Sequence, residues 1–245
     1  MRASGQMRGL QKGLVGLLKR LRRWLSLLLL ACVFGSVGMV LALRWIDPPY
    51  SAVILQRLAS EGTPQRQEWV DLDEVAPDMA LAVVAAEDQR FPDHHGFDTE
   101  EIIAAVERHL DGGPLRGAST ISQQVARNLF LWQGRSYLRK GLEVWFTGLL
   151  ELFWPKRRIL EMYLNFAEMG DRTFGVAAAG RRYFGTSPDR LSPAQAALIA
   201  AVLPNPVAYR VDAPSAYVRK RRDWILQQMK NLDGPAYLAG ILRER

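Results

Sequence analysis

Twenty consecutive residues without a charge, Trp24 to Leu43, constrain this chain more than any other stretch. A helix needs about 20 apolar residues to cross the hydrocarbon core of a bilayer. This run meets that need with Leu27-Leu28-Leu29-Leu30 and Val40-Leu41-Ala42-Leu43. Ahead of it, residues 1–23 carry Arg2, Arg8, Lys12, Lys19, Arg20, Arg22 and Arg23 and no acid, while Arg44 stands alone behind it. The basic flank of such a helix stays in the cytoplasm. The expected layout is a cytoplasmic tail (1–23), one transmembrane helix (24–43), a juxtamembrane linker (44–69) and an exported domain (70–245). A cleaved signal peptide is the alternative, but its apolar core is shorter and ends at a small-residue site. Ala31, Gly35, Ser36 and Gly38 supply no clear site of that kind.

The formal charge of +7 looks like a sign of nucleic-acid binding until it is located. Seven of the 32 basic residues lie in the tail, and the other 25 match the 25 acids, so the body is formally neutral. No nucleic-acid partner is expected. The single cysteine, Cys32, lies inside the apolar run, which leaves the body without thiol chemistry or a disulfide framework.

Behind the linker, Met79 to Ala86 is small and apolar and reads as a buried helix, with Asp78 as its cap. It delivers Glu87 and Asp88 to its end, where Pro92 and Gly96 force the chain out of the helix. A carboxylate at the lip of an apolar helix is partly desolvated, which raises its pKa and suits it to proton transfer. A solvated helix end is the alternative reading of the same two acids. Thr99 to Leu110 reads as a helix that Thr99 could cap, with Ile102, Ile103 and Val106 on one face.

Ser119-Thr120-Ile121-Ser122-Gln123 carries a capping box, Thr120 with Gln123, so a helix should start there. Ile121, Val125 and Leu129 step by four and bury one stripe, leaving Gln123, Gln124 and Arg127 on a polar face with Asn128 beside it. That face suits sugar hydroxyls and a phosphate, or it is only the wet side of a capped helix. Arg135, Arg139 and Lys140 form a cationic cluster, in which Arg139 and Glu143 are spaced for a helical ion pair. Leu142 to Phe153 is strongly apolar and mostly core. Leu129 to Trp132 is expected either in that core or dipping into the bilayer surface. Further helices are expected at 156–165, at 175–184, after the second capping box of Ser192 and Gln195, and at 217–232 with Trp224, Ile225, Leu226 and Met229 inward.

No Gly-rich nucleotide loop and no histidine pattern for zinc is present. What remains is carboxylates, amides and cations on an all-α body, a set suited to chemistry at a sugar carbon.

Five stretches in order carry a resemblance. They are Glu87-Asp88, Phe91, His94 and Gly96; then Gly117, Ser119-Thr120-Ile121, Gln123-Gln124 and Asn128; then Arg139-Lys140 and Glu143. Lys156, Ile159-Leu160-Glu161 and Tyr163-Leu164-Asn165 follow, and Arg221 with Ile225-Leu226 is last. Together they resemble the monofunctional peptidoglycan glycosyltransferases, whose catalytic domain also opens the bifunctional penicillin-binding proteins. The resemblance covers about Val70 to Met229. Small departures are Arg127 and Ser122, where the family commonly has Lys and Thr.

The resemblance implies a lysozyme-like glycosyltransferase domain behind the membrane helix, in the periplasm of a bacterial inner membrane. It implies polymerisation of lipid II into glycan strands, with Glu87 as the base that takes the proton of the acceptor GlcNAc 4-hydroxyl. Arg127, Arg135, Arg139 and Lys140 would meet the pyrophosphate, and Glu143 would orient those cations or a metal. Ser119, Thr120, Gln123, Gln124 and Asn128 would line the donor cleft, and Asp88, Phe91, His94 and Gly96 would join the substrate site. No cofactor is required on this reading, although family members differ in their response to divalent Mg or Mn. The chain ends sixteen residues after Met229 without a transpeptidase region. Cross-linking would then fall to a penicillin-binding transpeptidase partner, with division proteins as further partners. A lysozyme-like hydrolase or lytic transglycosylase is the nearest rival reading, and a non-enzymatic membrane scaffold the other.

Overall fold

A computed structural model describes residues 2–62, 66–110, 112, 119–134 and 136–243, with residues 2–15, Glu61 and Arg66 described by backbone alone. Gly117 and Arg135 lie outside the described residues. The chain divides into an N-terminal helix and a body that begins at Asp47.

Helix α1 spans Arg2–Leu43, continuing through the basic segment into the apolar run. Its uncharged twenty residues rise about 30 Å at 1.5 Å each, the thickness of a hydrocarbon core. Trp24, Leu28, Leu29 and Phe34 are exposed on it. The stretch Gly16–Leu43 of α1 is long and apolar enough to cross a membrane once.

The body is helical. Its only regular β structure among the described residues is a two-residue parallel pairing of Arg66–Gln67 with Thr173–Phe174. Helix α2 (Ala52–Glu61) is capped by Ser51, whose hydroxyl accepts from Ile54 N, and ends at Gly62 in the left-handed conformation. It buries Val53 and Ile54 and packs on α5, so the stretch expected as linker contains part of the folded body. Its apolar run was too short for periodicity to assign.

Helix α3 (Pro77–Glu87) buries every residue from Met79 to Ala85 and packs against α9 (Pro193–Val202) and α10 (Ala216–Asn231). Two helices apolar all round must each be covered on all sides, which places them at the centre. The cap of α3 is Ala76 rather than Asp78, because Pro77 takes the first helical position. Helix α4 (Thr99–Leu110) has the predicted bounds, but Asp98 caps it by accepting from Glu101 N, and Thr99 is already helical. Its apolar face is not core: Ile102, Ile103, Val106 and Leu110 are exposed and only Ala105 is buried.

Helix α5 (Ile121–Phe130) carries the complete capping box and packs on α6 (Tyr137–Phe153), α7 (Lys156–Phe166) and α2. Ile121, Val125 and Leu129 are buried as their spacing predicts. Leu131 is buried too, and Phe130 stacks on Phe146 with ring centroids 4.4 Å apart. Leu129 and Leu131 therefore belong to the core, Phe130 is half-buried, and Trp132 alone of that segment is exposed. On α6, Phe146, Leu149 and Leu150 are inside while Trp145 and Leu152 are exposed, so less of this helix is core than its composition suggests. Helix α8 (Val176–Phe184) follows, and α9 opens with the second capping box. On α10, Val218, Ile225 and Met229 point inward, whereas Trp224 is exposed. A five-residue helix, α11 (Ala239–Arg243), ends the described chain.

Helix α7 ties the segment after α2 to the core. Asn165 Oδ1 accepts from Val70 N at 2.9 Å while its Nδ2 donates to Val70 O at 2.8 Å, imitating a strand partner. Glu161 accepts from Leu72 N and from Arg158.

Candidate active site

The site forms where the C-terminus of α3 meets the N-terminus of α5. Asp88 joins them. Its Oδ2 accepts from Ile121 N at 2.9 Å, the first turn of α5, where a helix dipole favours a carboxylate. Its Oδ1 accepts from His94 Nε2 at 2.8 Å. Gly96 N donates to His94 Nδ1 at 3.1 Å, so this network places the imidazole proton on Nε2, facing Asp88. Thr120 Oγ1 in turn donates to Gly96 O at 2.7 Å. Gly96 sits at φ +84°, and a Cβ there would stand 2.7 Å from Thr147 Cγ2. Phe91 is fully buried, with Lys156 Nζ 4.5 Å from its ring centroid.

These bonds sort the residues expected at the substrate. Asp88, Phe91, His94, Gly96 and Gln123 hold the turn and the helix start in place. Gln123 is buried, and its Oε1 accepts from Thr120 N in the capping box. Asp88 and Thr120 also edge the cleft.

Glu87, next to this clamp, is held differently. Its Oε2 accepts from Gln124 Nε2 at 3.0 Å, and Arg221 of α10 approaches Oε1 to 3.6 Å. Tyr163 of α7 donates to Gln124 Oε1 at 3.3 Å, which fixes the amide so that its NH2 faces the acid. Burial raises the Glu87 pKa above the ordinary carboxylate value. The Gln124 hydrogen bond and the charges of Arg221 and Arg127 pull partly against that rise, and Asp88 adds to it. Tyr163 is raised well above its usual range, by burial first and by the Glu87 charge second.

A cleft past Glu87 consists of three hollows of about 450–470 Å3 each, neighbours that share lining residues. The first is lined by Glu87, Asp88, Arg90, Asp98, Ser119 and Trp224. The middle one shares Glu87, Ser119 and Arg221 with it and adds Gln124, Arg127 and Tyr217. The third shares Gln124 and Arg127 and continues to Asn128, Trp132, Arg139 and Glu168. Glu87 and the arginines thus lie along one groove.

Behind Arg139, the carboxylate of Glu143 is buried on α6. Arg139 Nη1 meets its Oε2 at 3.0 Å, and Lys140 Nζ contacts Oε1. Lys140 is half-exposed. Both oxygens of Glu143 are engaged by cations, and no group of three His, Cys, Asp or Glu able to hold a metal occurs among the described residues.

Sequence reasoning assigned no role to Tyr163, Arg221, Glu168, Tyr217 or Trp224. Arg221 and Tyr163 were visible within the recurrent stretches. Glu168 lines the cleft with Arg139 and pairs with Arg57 at 3.0 Å. Burial raises its pKa, with Arg57 opposing.

A proton acceptor at one point of a groove and guanidinium groups farther along it suit transfer of a glycosyl group away from an anionic leaving group. The sequence model of the Transglycosylase family matches residues 53–230. A biosynthetic peptidoglycan transglycosylase of Xanthomonas campestris is 52% identical over 226 residues, 90% of this chain and 92% of its own. One from Stutzerimonas stutzeri is 51% identical over 230 residues (92% and 95%), and one from Xylella fastidiosa is 50% identical over 222 (88% and 91%). The chain belongs to the transglycosylase family, the peptidoglycan glycosyltransferases.

Proposed function

We propose that this enzyme polymerises lipid II, passing the growing lipid-pyrophosphate-linked chain onto the GlcNAc 4-hydroxyl of an incoming lipid II. Glu87 takes the hydroxyl proton as the oxygen bonds to the anomeric carbon of the donor. The bond from that carbon to the pyrophosphate oxygen breaks with inversion, and the electron pair leaves with undecaprenyl pyrophosphate. Arg127 and Arg139 meet the charge that develops there, and Lys140 and Arg135 belong to the same cationic group by family resemblance. Glu143 positions Arg139 and Lys140 rather than moving protons.

The observation that carries this reading is the shared groove, with Glu87 flanked by Gln124 and Arg221 and with Arg127 and Arg139 beyond it. Arg139 Nε is a buried donor with no partner among the described residues, as a group reserved for an anion would be. The basic tail supports an anchor with its N-terminus in the cytoplasm and its body in the periplasm, where the lipid-linked substrate is consumed. A penicillin-binding transpeptidase is the partner such a product calls for.

Full-length enzyme in detergent, given lipid II, should yield long glycan polymer and free undecaprenyl pyrophosphate. Shortened strands from purified peptidoglycan, with no polymer from lipid II, would replace this reading with a lytic one.

A further inference from the structure

Helix α10 presents an aromatic, a cation and a second aromatic to the cleft. Tyr217, Arg221 and Trp224 stand at i, i+4 and i+7, one face of a helix, about a quarter turn from the buried stripe of Val218, Ile225 and Met229. Tyr217 lines the middle hollow and Trp224 the first one, while Arg221 lines both. Trp224 is 45% exposed and Tyr217 53%, although both open onto the groove that holds Glu87. Arg221 is fixed at the centre by Glu87 and by Ala86 O at 3.3 Å, with its guanidinium carbon 5.9 Å from the Trp224 ring centroid. Its Nε is a buried donor without a partner among the described residues.

We infer that this face is a platform for pyranose rings, with Trp224 taking the acceptor sugar. One face of a pyranose presents C–H groups of partial positive charge, which match the negative face of an aromatic ring. The ring hydroxyls then meet Arg221 and the polar edge formed by Ser119, Asp98 and Arg90. The direction along the cleft follows from the displacement. In an in-line inversion the leaving pyrophosphate, the anomeric carbon and the attacking oxygen are roughly collinear. Arg139 at one end of the groove takes the pyrophosphate, and Glu87 sits at the attacking oxygen. The ring bearing that oxygen lies beyond Glu87, and Trp224 is the aromatic side chain there.

The inference rests on the proposed polymerisation, and its test separates the two. Wild-type, Trp224→Ala and Trp224→Phe full-length enzymes are compared in detergent with lipid II, after thermal melts confirm that each variant folds. Chitotetraose, a saccharide with neither lipid nor phosphate, is the binding probe, followed by ligand-observed NMR. Trp224→Ala should raise the KM for lipid II about tenfold with kcat nearly unchanged, and abolish the chitotetraose signal. Trp224→Phe, which keeps a ring, should recover most of both. An unchanged KM and an unchanged chitotetraose signal in Trp224→Ala would overturn the platform. So would a loss that Trp224→Phe does not relieve. Failure of the wild-type enzyme to make polymer from lipid II would instead count against the polymerase reading.

Discussion

Gln124 donates from Nε2 to Glu87 Oε2 across 3.0 Å, and the two come from helices joined by Asp88, which links the end of α3 to the start of α5. Neighbouring acids thus divide the work. Asp88 is spent on structure, and Glu87 faces the cleft with its basicity set by burial.

The charge on Glu87 is not a source of stability. Its pKa is raised on folding, so the native state binds more protons than the unfolded chain between the ordinary glutamate value and the raised one. Stability therefore falls as pH rises through that window, and the ionised form carries the cost above it. Glu87→Gln should abolish polymer synthesis while leaving Tm unchanged or higher at pH 7. The Tm difference from wild type should grow as pH rises from the ordinary glutamate value through the raised one. Equal turnover by the variant would remove Glu87 from the role of base.

The same residue should set the acid limb of the rate profile. A base must be ionised, so kcat/KM should rise with pH through a value above that of an ordinary glutamate. The Gln124 hydrogen bond lowers the Glu87 pKa. Gln124→Ala removes it and should move the acid limb to higher pH as well as lowering the plateau. A limb that stays in place would mean that another group controls it.

Much of the frame was legible because helix starts announce themselves. Thr120 with Gln123 and Ser192 with Gln195 placed the starts of α5 and α9, and Pro92 marked the exit from α3. Which face a helix turns to its neighbours was less legible. Periodicity groups Ile102, Ile103 and Val106 on one side of α4 but does not say what covers them, and within the body they are exposed. Trp224 failed for the same reason: size and apolarity suggested core, and only the packing of α10 on α9 and α3 turns it to the cleft. Gln123 was grouped with Gln124 as a cleft residue, yet a capping box needs its side chain folded back onto Thr120. Contacts made across long separations, such as Arg57 with Glu168, left no local signal at all.

Glu143 should behave unlike Glu87. Its carboxylate is buried and faces Arg139, which is itself mostly buried, so each charge depends on the other. Removing one member of a buried pair costs about 3–5 kcal/mol, and the half-exposed Lys140 adds little to that. Glu143→Gln keeps the shape but not the charge, and it should lower Tm and activity together. The loss of activity should appear mainly as a raised KM, since Arg139 loses its fixed position in the cleft. Full stability with no activity would instead place Glu143 among the groups that touch substrate.

Helix α2 reaches both walls of the cationic end of the cleft through adjacent residues. Gln56 Nε2 donates to Leu131 O at 3.0 Å and Gln56 Oε1 accepts from Gln133 N at 2.8 Å, so one amide brackets Trp132. Arg57 holds Glu168 on the other wall. Trp132, Gln133 and Gly134 line the cleft and lead toward Ser136, whose hydroxyl caps α6 by accepting from Arg139 N. Each hydrogen bond contributes about 0.5–1.5 kcal/mol, so Gln56→Ala should cost roughly 1–3 kcal/mol of stability. The loop it releases should also raise the KM for lipid II about threefold or more while kcat changes less. Gln56→Glu keeps the acceptor for Gln133 N but not the donor to Leu131 O, and should fall between wild type and Gln56→Ala. A lowered Tm with unaltered KM would make α2 a packing element alone, with no hand in shaping the site.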